Sequence, residues 1–199
     1  MKNGNLNFII IVLIVGFISG CSSNDKINGN GNITSTDRTV TGFTSIVLEG
    51  AGNINICFSE NYKVIVTTDS NIQDIVTIEA ENNILYVDEK RGDGINPTKL
   101  IIDVYLPELE SITLKGAGNI NIDIGNSSAL SLTLSGAGNI EAQKYKIENV
   151  NVILSGTGNI KTWVTNNLSG NISGVGNIYY KGNPTKKVNI TGIGNVKEL

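Results

Sequence analysis

The chain has 199 residues, a net charge of −3, 40% hydrophobic residues and no histidine. That length bounds it to one domain with an extension. A mildly acidic balance disfavours nucleic acid as a partner, and the absence of histidine excludes Ser-His-Asp triads and zincin-type metal sites.

In chain order, Lys2 precedes the apolar run from Phe8 to Ile18, and Ser19-Gly20-Cys21 follows. A basic start, a short apolar stretch and small residues read as a signal peptide over residues 1–20. Its end resembles a bacterial lipobox, which implies that Cys21 is lipidated and holds the protein to membrane. Residues 21–39 then form the lipidated cysteine and a flexible tether, because Gly, Asn and Ser cannot bury a core. Ser22, in place of an aspartate, favours the outer membrane or cell surface. With Cys21 acylated, Cys57 is the only other cysteine, so no intramolecular disulfide is expected.

Residues 40–199 are the expected folded domain. A five-residue corner recurs through it: Gly50-Ala51-Gly52-Asn53-Ile54, Gly116-Ala117-Gly118-Asn119-Ile120 and Gly136-Ala137-Gly138-Asn139-Ile140. It returns as Gly156-Thr157-Gly158-Asn159-Ile160, Gly174-Val175-Gly176-Asn177-Ile178 and Gly192-Ile193-Gly194-Asn195-Val196, with a weaker forerunner at Gly29 to Ile33. From Gly116 onward the corners lie 18–20 residues apart. Period-two stretches such as Leu132-Thr133-Leu134-Ser135 precede them, the pattern of strands with one face inside. Together these predict an all-β fold, a right-handed parallel β-helix or solenoid with 18–20-residue rungs over 116–199. One interior column is expected from Leu114, Leu134, Leu154, Ile172 and Ile190. Another is expected from Ile120, Ile140, Ile160, Ile178 and Val196. The glycines and asparagines have a mechanical role, since both residue types tolerate positive φ and asparagine amides can bond along a column.

Residues 55–115 break the period and are expected to form a wider or capping region. Strands are predicted at Tyr62 to Thr68, Val76 to Ala80, Ile84 to Val87 and Leu100 to Leu106. A helical turn is expected at Asp69 to Ile75 and a hairpin turn at Asn82-Asn83.

The corners, the lipobox and the block from Tyr62 to Glu89 ahead of the repeats resemble the GIN-domain family, described as an adhesin head domain. The resemblance spans roughly residues 40–197. It implies a β-helical fold at the cell surface, and it brings no catalytic residues.

The chemistry visible in the residues is sparse. No Gly-Lys-Ser/Thr follows the glycine-rich corners, so phosphate binding is not expected. Asparagine replaces the aspartate that calcium-binding repeats use, so neither metal nor cofactor is expected. Trp163, Tyr179 and Tyr180, just after late corners, are candidates for stacking on sugar rings or filling a protein interface. Asp69, Asp74, Glu79, Glu81, Asp88 and Glu89 cluster in the irregular block, as a solvated face or as paired carboxylates acting on a polysaccharide. Arg91-Gly92-Asp93 matches an integrin-read tripeptide in a loop. Little sequence follows the last corner, so a second subunit is expected at that end or along a flank. The function read from all this is a non-catalytic, lipid-anchored surface or envelope protein, a candidate adhesin taking a glycan or protein ligand. The rivals are a polysaccharide-active enzyme and a periplasmic scaffold or sensor component.

Overall fold

The computed structural model describes residues 26–90 and 94–199. The expected signal peptide, Cys21 and Arg91-Gly92-Asp93 lie outside these residues. The described chain enters through β1 (Ile27–Asn28), β2 (Ile33–Arg38), β3 (Ser45–Leu48) and β4 (Ala51–Phe58). The irregular block holds β5 (Lys63–Asp69), β6 (Val76–Glu81), β7 (Ile84–Glu89), β8 (Ile95–Asn96) and β9 (Leu100–Leu106). The repeats supply β10 (Ser111–Leu114), β11 (Ala117–Ile122), β12 (Gly125–Leu134), β13 (Ala137–Leu154) and β14 (Thr157–Ile172). The chain closes with β15 (Ile178–Lys181), β16 (Thr185–Ile190) and β17 (Val196–Glu198).

The all-β class holds, but the right-handed parallel β-helix does not. Apart from the β1–β8 pair, the strands join one 15-stranded sheet of mixed direction, wrapped into a nearly closed barrel. Antiparallel pairs link β2 to β5, β5 to β9 and β6 to β7. β9 lies between β4 and β5, although those two follow each other in sequence. Nor does each repeat break into separate short strands. β13 and β14 run for 18 and 16 residues, and β13 pairs β11 through its first part and β12 through its second.

The reason lies in the irregular block. Asn82 and Asn83 take φ of 51° and 64°, a two-residue turn that sends β7 back antiparallel along β6. The short link from β4 to β5 likewise leaves no length for a parallel crossover. Repeat spacing after Gly116 carries no information about either event.

Within the barrel, equivalent residues of the repeats pair in parallel. Ile54, Ile120, Ile140, Ile160 and Ile178 align, and each is fully buried. Leu48, Leu114, Leu134, Leu154 and Ile172 form a second buried column. The columns end differently from expectation. Ile190 is 43% exposed and Val196 only half-buried, because among the described residues no strand pairs with the outer side of β16 or β17. At the opposite end a turn at residues 70–75 drops Ile72 into the core, where it is fully buried.

Part of the expected tether is also built into the domain. β1 and β2 fall within it, and β2 pairs along its whole length with β5. Asp69 fixes this entry. Its buried carboxylate accepts hydrogen bonds from the backbone amides of Gly31 (2.7 Å) and Thr98 (2.8 Å). Burial alone would raise its pKa, but those amides outweigh it and hold the carboxyl below its ordinary value.

Candidate functional site

The corner asparagines form a ladder. The side-chain amide of Asn119 donates to Asn53 Oδ1 at 3.0 Å, Asn139 to Asn119 at 2.9 Å, and Asn159 to Asn139 at 3.3 Å. Asn177 continues it onto Asn159 at 3.3 Å, and the backbone amide of Asn195 reaches Asn177 Oδ1 at 3.1 Å. The glycines of each corner permit this close stacking. Gly138 has φ of 143°, and a Cβ there would overlap the carbonyl oxygen of Gly118. From Asn53 to Asn177 each corner side-chain oxygen accepts from the next corner asparagine, which gives Gly50, Gly52, Asn53 and their repeats a structural setting.

Two residues further on, a second column faces outward. Parallel and antiparallel registers align Asp37, Ile65, Asp103, Asn55, Asn121, Glu141, Lys161, Tyr179 and Lys197. Asn55 donates to Asp103 Oδ1 at 2.8 Å, and Asn121 donates to Asn55 Oδ1 at 3.2 Å. Lys161 Nζ lies 3.0 Å from Glu141 Oε1. Beside this column runs a groove of about 600 Å³ lined by Asn55, Asn121, Ile122, Glu141, Gln143, Lys144 and Lys161. Glu141 Oε2 and Gln143 Oε1 are buried there without a hydrogen-bond partner from the protein. Two acceptors turned from water and left unpaired are costly unless something donates to them. Lys144 and Lys161 line the same groove.

The structure separates the three aromatic candidates. Tyr179 stands in the outward column, half-buried, beside Lys161. Tyr180 is only 6% exposed and its hydroxyl accepts from Lys186 Nζ at 2.8 Å, so its ring is packing rather than a stacking platform. Trp163 is half-buried with Lys181 Nζ 4.0 Å and Lys146 Nζ 6.0 Å from its ring centroid. Strand alternation explains the split, since neighbouring residues Tyr179 and Tyr180 point to opposite faces.

The carboxylates do not converge either. Asp69 is the buried clamp described above, Glu79 and Glu81 lie on β6, and Asp88 and Glu89 lie on β7. Among the described residues, no group of three or more His, Cys, Asp or Glu is placed to hold a metal ion. Burial, with Asp123 and Asp103 nearby, pushes the Cys57 thiol above its ordinary pKa and makes it a poor nucleophile at neutral pH. The groove around Glu141 and Gln143 was missed by sequence reasoning. Its only sequence signal is the run of polar residues two places after the first four corner asparagines, Asn53 to Asn159: Asn55, Asn121, Glu141 and Lys161.

Comparison with known proteins places the chain. The sequence profile described as "Putative auto-transporter adhesin, head GIN domain" matches residues 42–124 and 115–184. The chain belongs to this family. A solved "putative adhesin" of Bacteroides fragilis is 22% identical, and the alignment covers 87% of this chain and 100% of that one at a TM-score of 0.61. That likeness supports the GIN-domain fold. A "putative adhesin" of Parabacteroides merdae is 22% identical over 88% of this chain and 99% of its own, with a TM-score of 0.43. A "putative lipid binding protein" of Parabacteroides distasonis is 21% identical over 88% of this chain and 100% of its own, also at 0.43. No curated protein matches the chain.

Proposed function

We propose that this GIN-domain protein is a non-catalytic adhesin-like binding module. It is lipid-anchored through Cys21 at the outer membrane or cell surface, and it engages a glycan or protein ligand along the Glu141–Lys161 groove. The single observation that carries the reading is the pair of buried, unpartnered acceptors, Glu141 Oε2 and Gln143 Oε1, beside two lysines. Sugar hydroxyls and peptide amides both supply donors of the kind these atoms lack once the Glu141 and Gln143 side chains turn toward the groove, while the lysines donate to ligand oxygens. Tyr179, half-buried on β15, stands at the end of the same face. Because the column sits on paired strands, its spacing is preset and little order is lost on binding.

Binding of residues 26–199 to arrayed glycans and matrix proteins, with product analysis on any sugar bound, tests this reading. Specific binding that is lost in Glu141→Ala/Lys161→Ala, with the sugar recovered intact, is the expected outcome. Cleavage of the sugar would replace the adhesin with a polysaccharide-active enzyme, and silence on every spot would favour an envelope scaffold. Anchoring has its own test. Radiolabelled palmitate should enter the full-length chain and fail to enter Cys21→Ser.

A further inference from the structure

We propose that copies of this chain associate head to tail, β16 and β17 of one copy pairing with β6 and β2 of the next. Four strands of the sheet are paired on one side only: β2 and β6 end the main strand path, and β17 and β16 end the branch that leaves it at β13 through β14. Unpaired edges are templates for strand addition unless their side chains forbid it. Here the side chains on the two ends are complementary.

The complementarity follows from the register. Lys187 aligns through Ser169, Asn151, Ser131, Ser111, Ser45 and Ile84 with Glu81. Lys197 aligns through Tyr179, Lys161, Glu141, Asn121, Asn55, Asp103 and Ile65 with Asp37. A second copy stacked without lateral shift therefore sets Lys187 opposite its Glu81 and Lys197 opposite its Asp37, whose carboxylate also lies 3.4 Å from Lys63 Nζ of its own copy. By the same column logic, half-covered apolar residues meet. Ile190, 43% exposed, falls opposite Ile78, which is itself only partly buried against the core. Two like ends facing each other would instead oppose lysine to lysine on β16, or glutamate to glutamate on β6. Such a contact joins different surfaces on the two copies, so it repeats into an open chain of subunits rather than a closed dimer.

The test uses carbodiimide coupling on the purified full-length protein, followed by peptide mass spectrometry. The reagent joins a carboxyl to an amine with loss of water and adds no spacer. Seven strand spacings separate β6 from β16 along the sheet, and coupling an equal mixture of isotope-labelled and unlabelled protein identifies the Lys187–Glu81 amides that join two molecules. Lys187–Glu81 and Lys197–Asp37 amides, with a ladder of dimers, trimers and longer species that fades at high salt, are expected. Lys187→Glu/Lys197→Glu should lower the yield by about tenfold, and so should Glu81→Lys/Asp37→Lys. Mixing the two variants should restore the ladder, which also proves both folded. Solution scattering of a compact monomer at high concentration, links between like ends, or a mixture that stays uncoupled would overturn the proposal.

Discussion

Replacing Ile140 by alanine tests how the core is built. Ile140 is fully buried between Ile120 and Ile160, which are fully buried themselves. The paired strands on either side hold the backbone and cannot collapse into the space left. Loss of transfer free energy together with an unfilled cavity then costs about 3–4 kcal/mol. For a domain of this size that lowers Tm by about 10 °C. Ile190→Ala is the control. Ile190 belongs to the neighbouring column but is 43% exposed at its open end, so its truncation costs less than about 1 kcal/mol. Urea unfolding at low protein concentration, followed by circular dichroism, reads both, and the m-value should stay constant. Equal losses for the two variants, or a loss below about 1 kcal/mol for Ile140→Ala, would refute the account of continuous buried columns.

Asn139→Ala removes a donor to Asn119 and an acceptor used twice by Asn159, and should cost about 2 kcal/mol in the same unfolding assay. Asp69 gives a pH signature. Its folded pKa lies below the unfolded one, so its stabilisation is present above about pH 4 and is lost as pH falls through the lowered folded value. The protection factors of the Gly31 and Thr98 amides, corrected for the slower intrinsic exchange in acid, should therefore fall as pH drops, whereas Asp69→Asn should show low protection already at pH 7.

The all-β class, the corner motif and most strands of the irregular block were legible in the sequence. Period-two alternation marks Leu132 to Ser135, and Asn82-Asn83 announces its turn through residues that tolerate positive φ. What was not legible is how the strands add up. The sequence contains no signal that β9 inserts between β4 and β5, because that choice depends on which buried faces fit, not on any local pattern. The same limit applies to the ordered part of the expected tether. Ile33 to Arg38 has little apolar character, yet its backbone pairs with β5, and Asp69 closes the segment down from 38 residues away at Gly31. The site was legible only in part. Tyr179 and Tyr180 look equivalent in sequence, and strand alternation gives one to the outward column and the other to the core. The unpaired acceptors of Glu141 and Gln143 arise from packing against neighbouring strands, which no spacing rule conveys.

The central claim is that the face carrying Glu141, Lys161 and Tyr179 binds the ligand. Bacteria displaying the full-length chain, washed over arrayed glycans and matrix proteins, test it most directly. The account predicts retention on a specific surface, and a fall of about tenfold or more for cells displaying Glu141→Ala/Lys161→Ala at equal surface density. Retention unchanged by that double substitution, with the variant folded and displayed, would contradict it.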